Sequence, residues 1–468
     1  MNLSVSRVSM AFTKKKTTGV KRVACACICV YLAFFASFYV PVLSIAIFAF
    51  CSFLILCFDQ DDLFCFLLFL FPFGAIFKVD GIPTSLFTVL EFIVVFKFLF
   101  QKKGVNCSFA FLMLSFISFC CLVLNNIGGY LEISKVILAY FLLYFFAQKY
   151  SGKYFKRYFA FYLLAILSSS LMGLFRGVIP RLTMLTGQAG VAYIGNIENG
   201  TVTTSIRFSG LNYDPNYYSV MLLPAIIVLF SSLFSSNRRH FIARAVLFML
   251  VSLLGFLTLS KSFILMYVVI FFFILLSNIR RRPLLVVLIF CAGLVLVLIN
   301  PFNLSSNLLL RFDNVFGERD LNSLTTGRSE IWKMYLESFG QSTIRLFVGN
   351  GIDADYLGGR AAHNLYIEAI YKIGIIGLII YLACYVYIFI RFGFFRKKSF
   401  VSYLPIISIA LMYFFLAGLS DYSLPFYLMI AFAFFANPTI LRTKERPCEL
   451  VLAPRSAAHS KNITTNLR

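Results

Sequence analysis

The chain has three histidines. His240 lies in a short basic turn, His459 in a polar tail, and His363 at the head of a long apolar stretch. Imidazole titrates near neutrality, so a lone His beside cations is a candidate general base, a structural or solvated His being the alternative. Arg176, Arg207, Arg328 and Arg345 lie in the two long polar segments that lead up to apolar stretches. A guanidinium is a planar fork that stays charged and pairs with phosphate through two parallel bonds. Together these residue types suit removal of a proton beside a bound anion.

The local patterns sharpen this. In Arg207-Phe208-Ser209-Gly210-Leu211-Asn212-Tyr213-Asp214-Pro215-Asn216, Asp214 suits a helix N-cap and Pro215 the first helical position. Asp214 and Asn216 therefore read equally well as capping residues or as substrate contacts. Arg207 and Gly210, beside the free N–H groups of that helix start, form a natural anion site; an Arg bound to lipid headgroups is the competing explanation.

Arg328 opens a segment, 328–339, in which Ile331, Trp332, Tyr335, Leu336 and Phe339 share a face at helical spacing. The expectation is an interfacial helix with Trp332 at headgroup depth, its apolar face packed on the bundle in preference to stacking on a sugar. A cation in the first turn opposes the helix dipole at a cost of a few tenths of a kcal/mol, which argues for an anionic partner. Gly349-Asn350-Gly351 signals a turn, and Ala362-His363-Asn364-Leu365-Tyr366 stands at the mouth of the apolar stretch at 364–390. Asp353-Ala354-Asp355 has the D-x-D form of a divalent-cation site, but a surface loop is preferred and no metal or cofactor is assigned.

The elements that hold these residues follow from composition. The chain has 468 residues, 60% of them hydrophobic and 13% charged, against roughly 25% charged in soluble proteins. Its mean hydropathy is +0.87, and the apolar residues come in blocks long enough to cross a bilayer, which needs about 20 residues. The formal charge of +23 is dealt out in packets between those blocks, which reports membrane topology and excludes a nucleic-acid partner. Nearly all of the twelve cysteines lie in apolar segments. No disulfide framework is implied, and Cys25, Cys27 and Cys29 would point to different faces of a helix.

Apolar stretches fall at 23–40, 42–58, 63–77, 84–100, 107–124, 131–147, 154–175, 216–235, 241–258, 261–278, 283–300, 364–390, 400–418 and 423–441. The fold class expected is an all-α polytopic membrane protein of about 12–14 transmembrane helices. The stretch at 63–77, with Pro72 and Gly74, is the candidate for a broken or re-entrant helix. With fourteen crossings every Lys/Arg packet falls on one side, so both termini are expected in the cytoplasm and the first span is read as a retained anchor. The organisation expected is a basic N-terminus (1–22), N-terminal helices (23–175), a first outer loop (176–215), helices (216–300), a second outer loop (301–363), C-terminal helices (364–441) and a disordered tail (442–468). The second loop carries five arginines with seven carboxylates, a mixture unlike a simple headgroup tether.

Taken in order, Arg207-x-x-Gly210 with Asp214-Pro215-Asn216, Gly327-Arg328 with Trp332, Gly349-x-Gly351, and His363-Asn364 resemble the O-antigen polymerase and O-antigen ligase family of bacterial surface-polysaccharide assembly. The resemblance covers roughly 176–390. It implies a glycosyltransferase C-type fold and a metal-independent, inverting glycosyl transfer on the outer face of the cytoplasmic membrane. The donor it implies is a polyprenyl-diphosphate-linked glycan, the acceptor a sugar hydroxyl, and a chain-length regulator protein is a possible partner. On that reading Arg207 and Arg328 clamp the diphosphate, Arg176 and Arg345 make further phosphate or glycan contacts, and His363 is the base, oriented by Asn364. Polymerases of the family also carry an Arg, ten residues and a Gly in the first outer loop. Arg176 and Gly187 have that spacing, whereas Gly340 falls one position late after Arg328.

The rival within the same chemistry is a ligase, which passes finished glycan to a lipid-A core or a protein. A lipid-linked-glycan transporter is the rival from another class. It would keep ionisable residues along a central path, whereas here Glu91, Lys97 and Lys135 are isolated or near span ends.

Overall fold

The computed structural model describes residues 2–79, 84–101, 105–123, 127–150, 152–187, 191–193, 204–234, 240–280, 282–284, 286–287, 328–392, 400–416, 419 and 421–437. Nearly all of the span expected at 283–300, the start of the second loop with Arg311 and Arg319, Gly327, several basic packets, Cys448 and the tail with His459 lie outside them.

The described residues form an all-α membrane bundle. Helices α1 (Asn2–Ser37), α2 (Leu43–Cys57), α3 (Gln60–Leu70), α4 (Leu86–Phe100), α5 (Cys107–Leu122), α6 (Ile127–Lys149) and α7 (Phe155–Gly173) make its first half. The first loop then holds a short helix, α8 (Pro180–Thr186), and a two-stranded antiparallel ribbon of β1 (Val191–Tyr193) and β2 (Thr204–Ile206). Helices α9 (Pro215–Leu233), α10 (Phe241–Phe256) and α11 (Lys261–Asn278) follow. The second loop contributes α12 (Arg328–Gly340) and α13 (Thr343–Val348), before α14 (Leu365–Arg391), α15 (Leu404–Met412) and α16 (Leu424–Ala436). Among the described residues five helices are long and apolar enough to cross a membrane, and the shorter apolar helices pack among them.

The stretch at 63–77 is broken, as its proline predicts: α3 stops at Leu70 and gives way to a 3-10 turn at Phe71–Ala75. A proline ring removes a backbone donor and clashes with the preceding turn. Leu63 to Leu70 are all buried, so neighbouring helices rather than lipid surround the break. Stacking of Phe71 on both Tyr162 and Phe426 ties it to α7 and α16. Helix α9 is buried along almost its whole length and forms the axis against which α7, α10, α11, α15 and α16 pack.

At the end where α7 begins, the buried Asp62 carboxylate accepts from Arg22 at 2.8 Å and from Arg157, joining α1, α3 and α7. Such pairing offsets the cost of taking a charged carboxylate out of water. The other end of α7 leads to Arg176 and the first loop. Here the chain re-enters the bundle three times through capped helix starts: Asp214, Ser260 and Asn364 each accept from a first-turn backbone N–H.

Candidate active site

The first loop is built on Arg176. Its Nε donates to Thr186 Oγ1 at 2.8 Å, and Nη2 donates to the carbonyls of Thr186 at 2.9 Å and Asn212 at 2.7 Å. Its Nη1 donates to Ser209 Oγ. Four of the five N–H groups of a guanidinium are thus engaged by the loop itself, and burial lowers the group to about 10, still charged at neutrality. These contacts make Arg176 a staple of the loop and leave one N–H for the phosphate or glycan contact expected of it. The ten-residue spacing to Gly187 acquires a local meaning, because α8 lies between them. Gly187 ends α8 at φ 75°, with the Tyr213 ring where a Cβ would be.

Gly210 also has a packing role. It adopts φ 53°, and a Cβ there would meet the Tyr218 ring at 2.6 Å, while a Cβ on Gly173 would meet the Gly210 backbone at 2.7 Å. Only glycine lets the loop lie this close to α7 and α9. The segment is thereby pressed against the turn between α10 and α11, where Phe208 N–H donates to Leu257 O at 2.9 Å and Arg207 Nε donates to Thr258 O at 2.8 Å. Asn216 Oδ1 accepts from Arg207 Nη2 at 3.3 Å and from Ser260 Oγ at 2.7 Å. Asn216 therefore holds the arginine, and Asp214 caps α9 through Asn216 N–H at 2.7 Å.

The second loop supplies the facing wall. Arg328 is the first residue of α12, and its Nη1 donates to Phe415 O at 3.0 Å. One turn on, Trp332 Nε1 donates to Ala362 O at 2.8 Å, and Tyr335 Oη donates to Arg360 O at 2.9 Å while accepting from Leu357 N–H at 3.1 Å. The Trp332 ring also meets Phe414 edge-on. Leu336 departs from the predicted stripe: it is 58% exposed while Ile331 and Tyr335 are buried, because the next residue after Tyr335 is rotated by about 100°.

Helix α12 thus clamps the segment that delivers His363. His363 sits in the left-handed region at φ 48°, a conformation that costs a non-glycine residue of order 1–2 kcal/mol. Directly after it, Asn364 Oδ1 accepts from Tyr366 N–H at 3.0 Å and Ile367 N–H at 3.2 Å. Asn364 positions His363 through this cap; no side-chain bond joins the two among the described residues.

Electrostatics show which groups share the site. Burial lowers Arg207, the charge of Arg328 lowers it further, and Asp214 opposes both. Arg328 is likewise lowered by burial, against Asp214 and Tyr217. His363 is lowered from 6.5, first by burial and then by Arg328, with Asp214 opposing. Two half-buried guanidinium groups, one carboxylate and a neutral imidazole therefore feel one another's charge. Among the described residues neither arginine makes an ion pair with a carboxylate, Arg207 donates to two partners and Arg328 to one.

Arg345 does not join this cluster: it is exposed on α13. Two other residues do. Tyr217, next after Asn216, feels Asp214, Glu368 and Asp421 and acts on Arg328. Asp421, in the turn before α16, accepts from Ser423 N–H at 2.8 Å and from Tyr413 Oη; its enclosure pushes the carboxyl up. Tyr217 had a sequence signal in its place beside the Asp-Pro-Asn start, Asp421 none.

Over residues 245–382 the chain matches a family model described as O-antigen ligase, in keeping with the O-antigen ligase and polymerase family. The matched segment holds Arg328, His363 and Asn364 but not the first loop with Arg207. No curated protein and no solved structure matches the chain.

Proposed function

From its match to the O-antigen ligase family we propose that this chain is a membrane glycosyltransferase of surface-polysaccharide assembly, moving glycan from a polyprenyl-diphosphate carrier to an acceptor hydroxyl. The observation that carries the reading is the pair Arg207 and Arg328, partly desolvated and without a carboxylate ion pair among the described residues, beside a neutral His363. A diphosphate is the anion such a pair suits, and each charge-assisted bond contributes about 1.5–3 kcal/mol net.

The acceptor O–H attacks the anomeric carbon, His363 takes its proton, and the bond from that carbon to the diphosphate oxygen breaks. Negative charge grows on the leaving diphosphate as the bond lengthens. Arg207 and Arg328, held by Asn216, Thr258 O and Phe415 O, need little reorganisation to stabilise it. Displacement in one step inverts the anomeric carbon. The outer face of the cytoplasmic membrane is the side this reading assigns, since the described basic packet of Lys149, Lys153, Lys156 and Arg157 lies at the other end of the bundle, where α7 begins.

Chain extension, the polymerase reading, is supported by the Arg176 to Gly187 spacing; the family match is compatible with it and with the ligase reading alike. Size analysis of surface glycan in a strain lacking the gene, complemented with wild type or with His363→Ala, separates them. Single repeat units on the surface acceptor indicate a polymerase, and full-length glycan left on its carrier a ligase. Normal glycan from the His363→Ala strain would refute the transfer reading.

A further inference from the structure

Helix α14 has 27 residues, divided by a break at Gly374, and the hydrocarbon core it meets is about 30 Å thick. Its exposed large apolar side chains are Ile376, Ile379, Leu382, Val386 and Ile390, and none lies between Leu365 and Ile375. Arg391 closes the far end of this stripe. From Ile376 to Ile390 it covers roughly 21 Å at 1.5 Å per residue, about 9 Å short of the core.

At the upper edge of the stripe α14 is interrupted. Gly374 takes φ 64° and ψ 179°, and the end of α13 is seated in the break. Asn350 N–H donates to Tyr371 O and Gly351 N–H to Lys372 O, both at 2.9 Å. A Cβ on Gly349 would lie 2.3 Å from Lys372 O, and one on Gly374 would lie 2.2 Å from Phe347 O. Helix α13 is therefore fixed against α14 just above Ile376. It presents Ile344, 76% exposed, and Phe347, 45% exposed, three residues apart and so on one face.

Seated at the break, α13 adds Ile344 and Phe347 to the upper edge of the apolar stripe. We propose that α13 is inserted into the bilayer surface, with Ile344 and Phe347 among the acyl chains and Arg345 reaching a lipid phosphate. An aliphatic stem with a charged tip is suited to that boundary. The second loop is then moored to the lipid at its middle, and His363, about two turns of α14 above Lys372, is held at headgroup height. This surface is distinct from the arginine pair and does not depend on the reaction assigned to it.

The chain has one Trp, Trp332, so a second substitution gives a single-indole protein. The full chain carrying Trp332→Phe and Phe347→Trp, in phosphatidylcholine nanodiscs, is quenched with lipids brominated at acyl positions 6 and 7 or with aqueous acrylamide. Insertion predicts at least a twofold loss of emission with the brominated lipid and weak acrylamide quenching. Strong acrylamide quenching with no bromolipid effect would overturn it. Should Trp332→Phe fail to fold, a photoreactive benzoylphenylalanine at position 347 of the otherwise native chain gives the same reading. Phospholipid adducts support insertion, and adducts only to protein, or none, overturn it.

Discussion

The charge of Arg328 lowers the pKa of Arg207, although the two residues belong to different loops and neither ion-pairs with a carboxylate among the described residues. Folding has brought like charges together and left them partly desolvated, an arrangement that costs free energy and that the Asp214 carboxylate opposes. Burial lowers His363 first, and the same Arg328 charge adds to it.

Replacing either arginine by lysine keeps the charge and removes the fork. Loss of one charge-assisted bond, about 1.5–3 kcal/mol, predicts transfer rates roughly 10- to 100-fold lower for Arg207→Lys and Arg328→Lys. Initial rates with a lipid-diphosphate-linked donor at matched protein amounts check this. Wild-type rates from either variant would remove that residue from the clamp.

The pH dependence has a definite sign. Burial and Arg328 both disfavour the imidazolium, so His363 is the free base at neutrality and activity falls as pH drops through a value below 6.5. Removing the positive charge with Arg328→Gln relieves part of that pressure and raises the His363 value. The acid limb of the residual activity is therefore expected at higher pH than in wild type, read from kcat/KM profiles. An unmoved limb would mean that another group titrates.

Arg176 is expected to behave as a structural residue. Arg176→Ala removes four hydrogen bonds and strands the carbonyls of Thr186 and Asn212. At about 1 kcal/mol per bond, a loss of about 2–4 kcal/mol is expected, seen as a lower Tm in detergent. Activity per folded molecule should fall much less than for Arg207→Lys.

Gly349 and Gly374 should each reject a side chain. Their positive φ values and the backbone atoms that a Cβ would strike predict that Gly349→Ala and Gly374→Ala destabilise by a few kcal/mol. Increased protease cleavage between α13 and α14 would report the loosened contact, and unchanged cleavage would argue against it.

The helical frame was legible in the sequence because each element announces itself locally. Apolar blocks of spanning length gave the helices, Pro72 the break after α3, and Asp214-Pro215 the start of α9. Arg207, Arg328 and His363 could be singled out because unusual residue types stood at the mouths of apolar stretches. The role of Arg176 could not be read, since its partners at Thr186, Ser209 and Asn212 meet only when the loop closes. Asp421 was hidden for the same reason, and the seat of α13 joins Gly349, whose turn was legible, to Gly374 in a separate segment, which gave no signal.

The central claim is that the two arginines hold the donor while His363 removes the acceptor proton. Donor binding and turnover, measured together on the full chain in nanodiscs with a polyprenyl-diphosphate-linked glycan, test it most directly. His363→Ala is predicted to bind donor with wild-type Kd yet turn over at least 100-fold more slowly. Arg207→Ala with Arg328→Ala is predicted to lose binding as well. Wild-type turnover by His363→Ala, or unimpaired donor binding by the double arginine variant, would contradict the account.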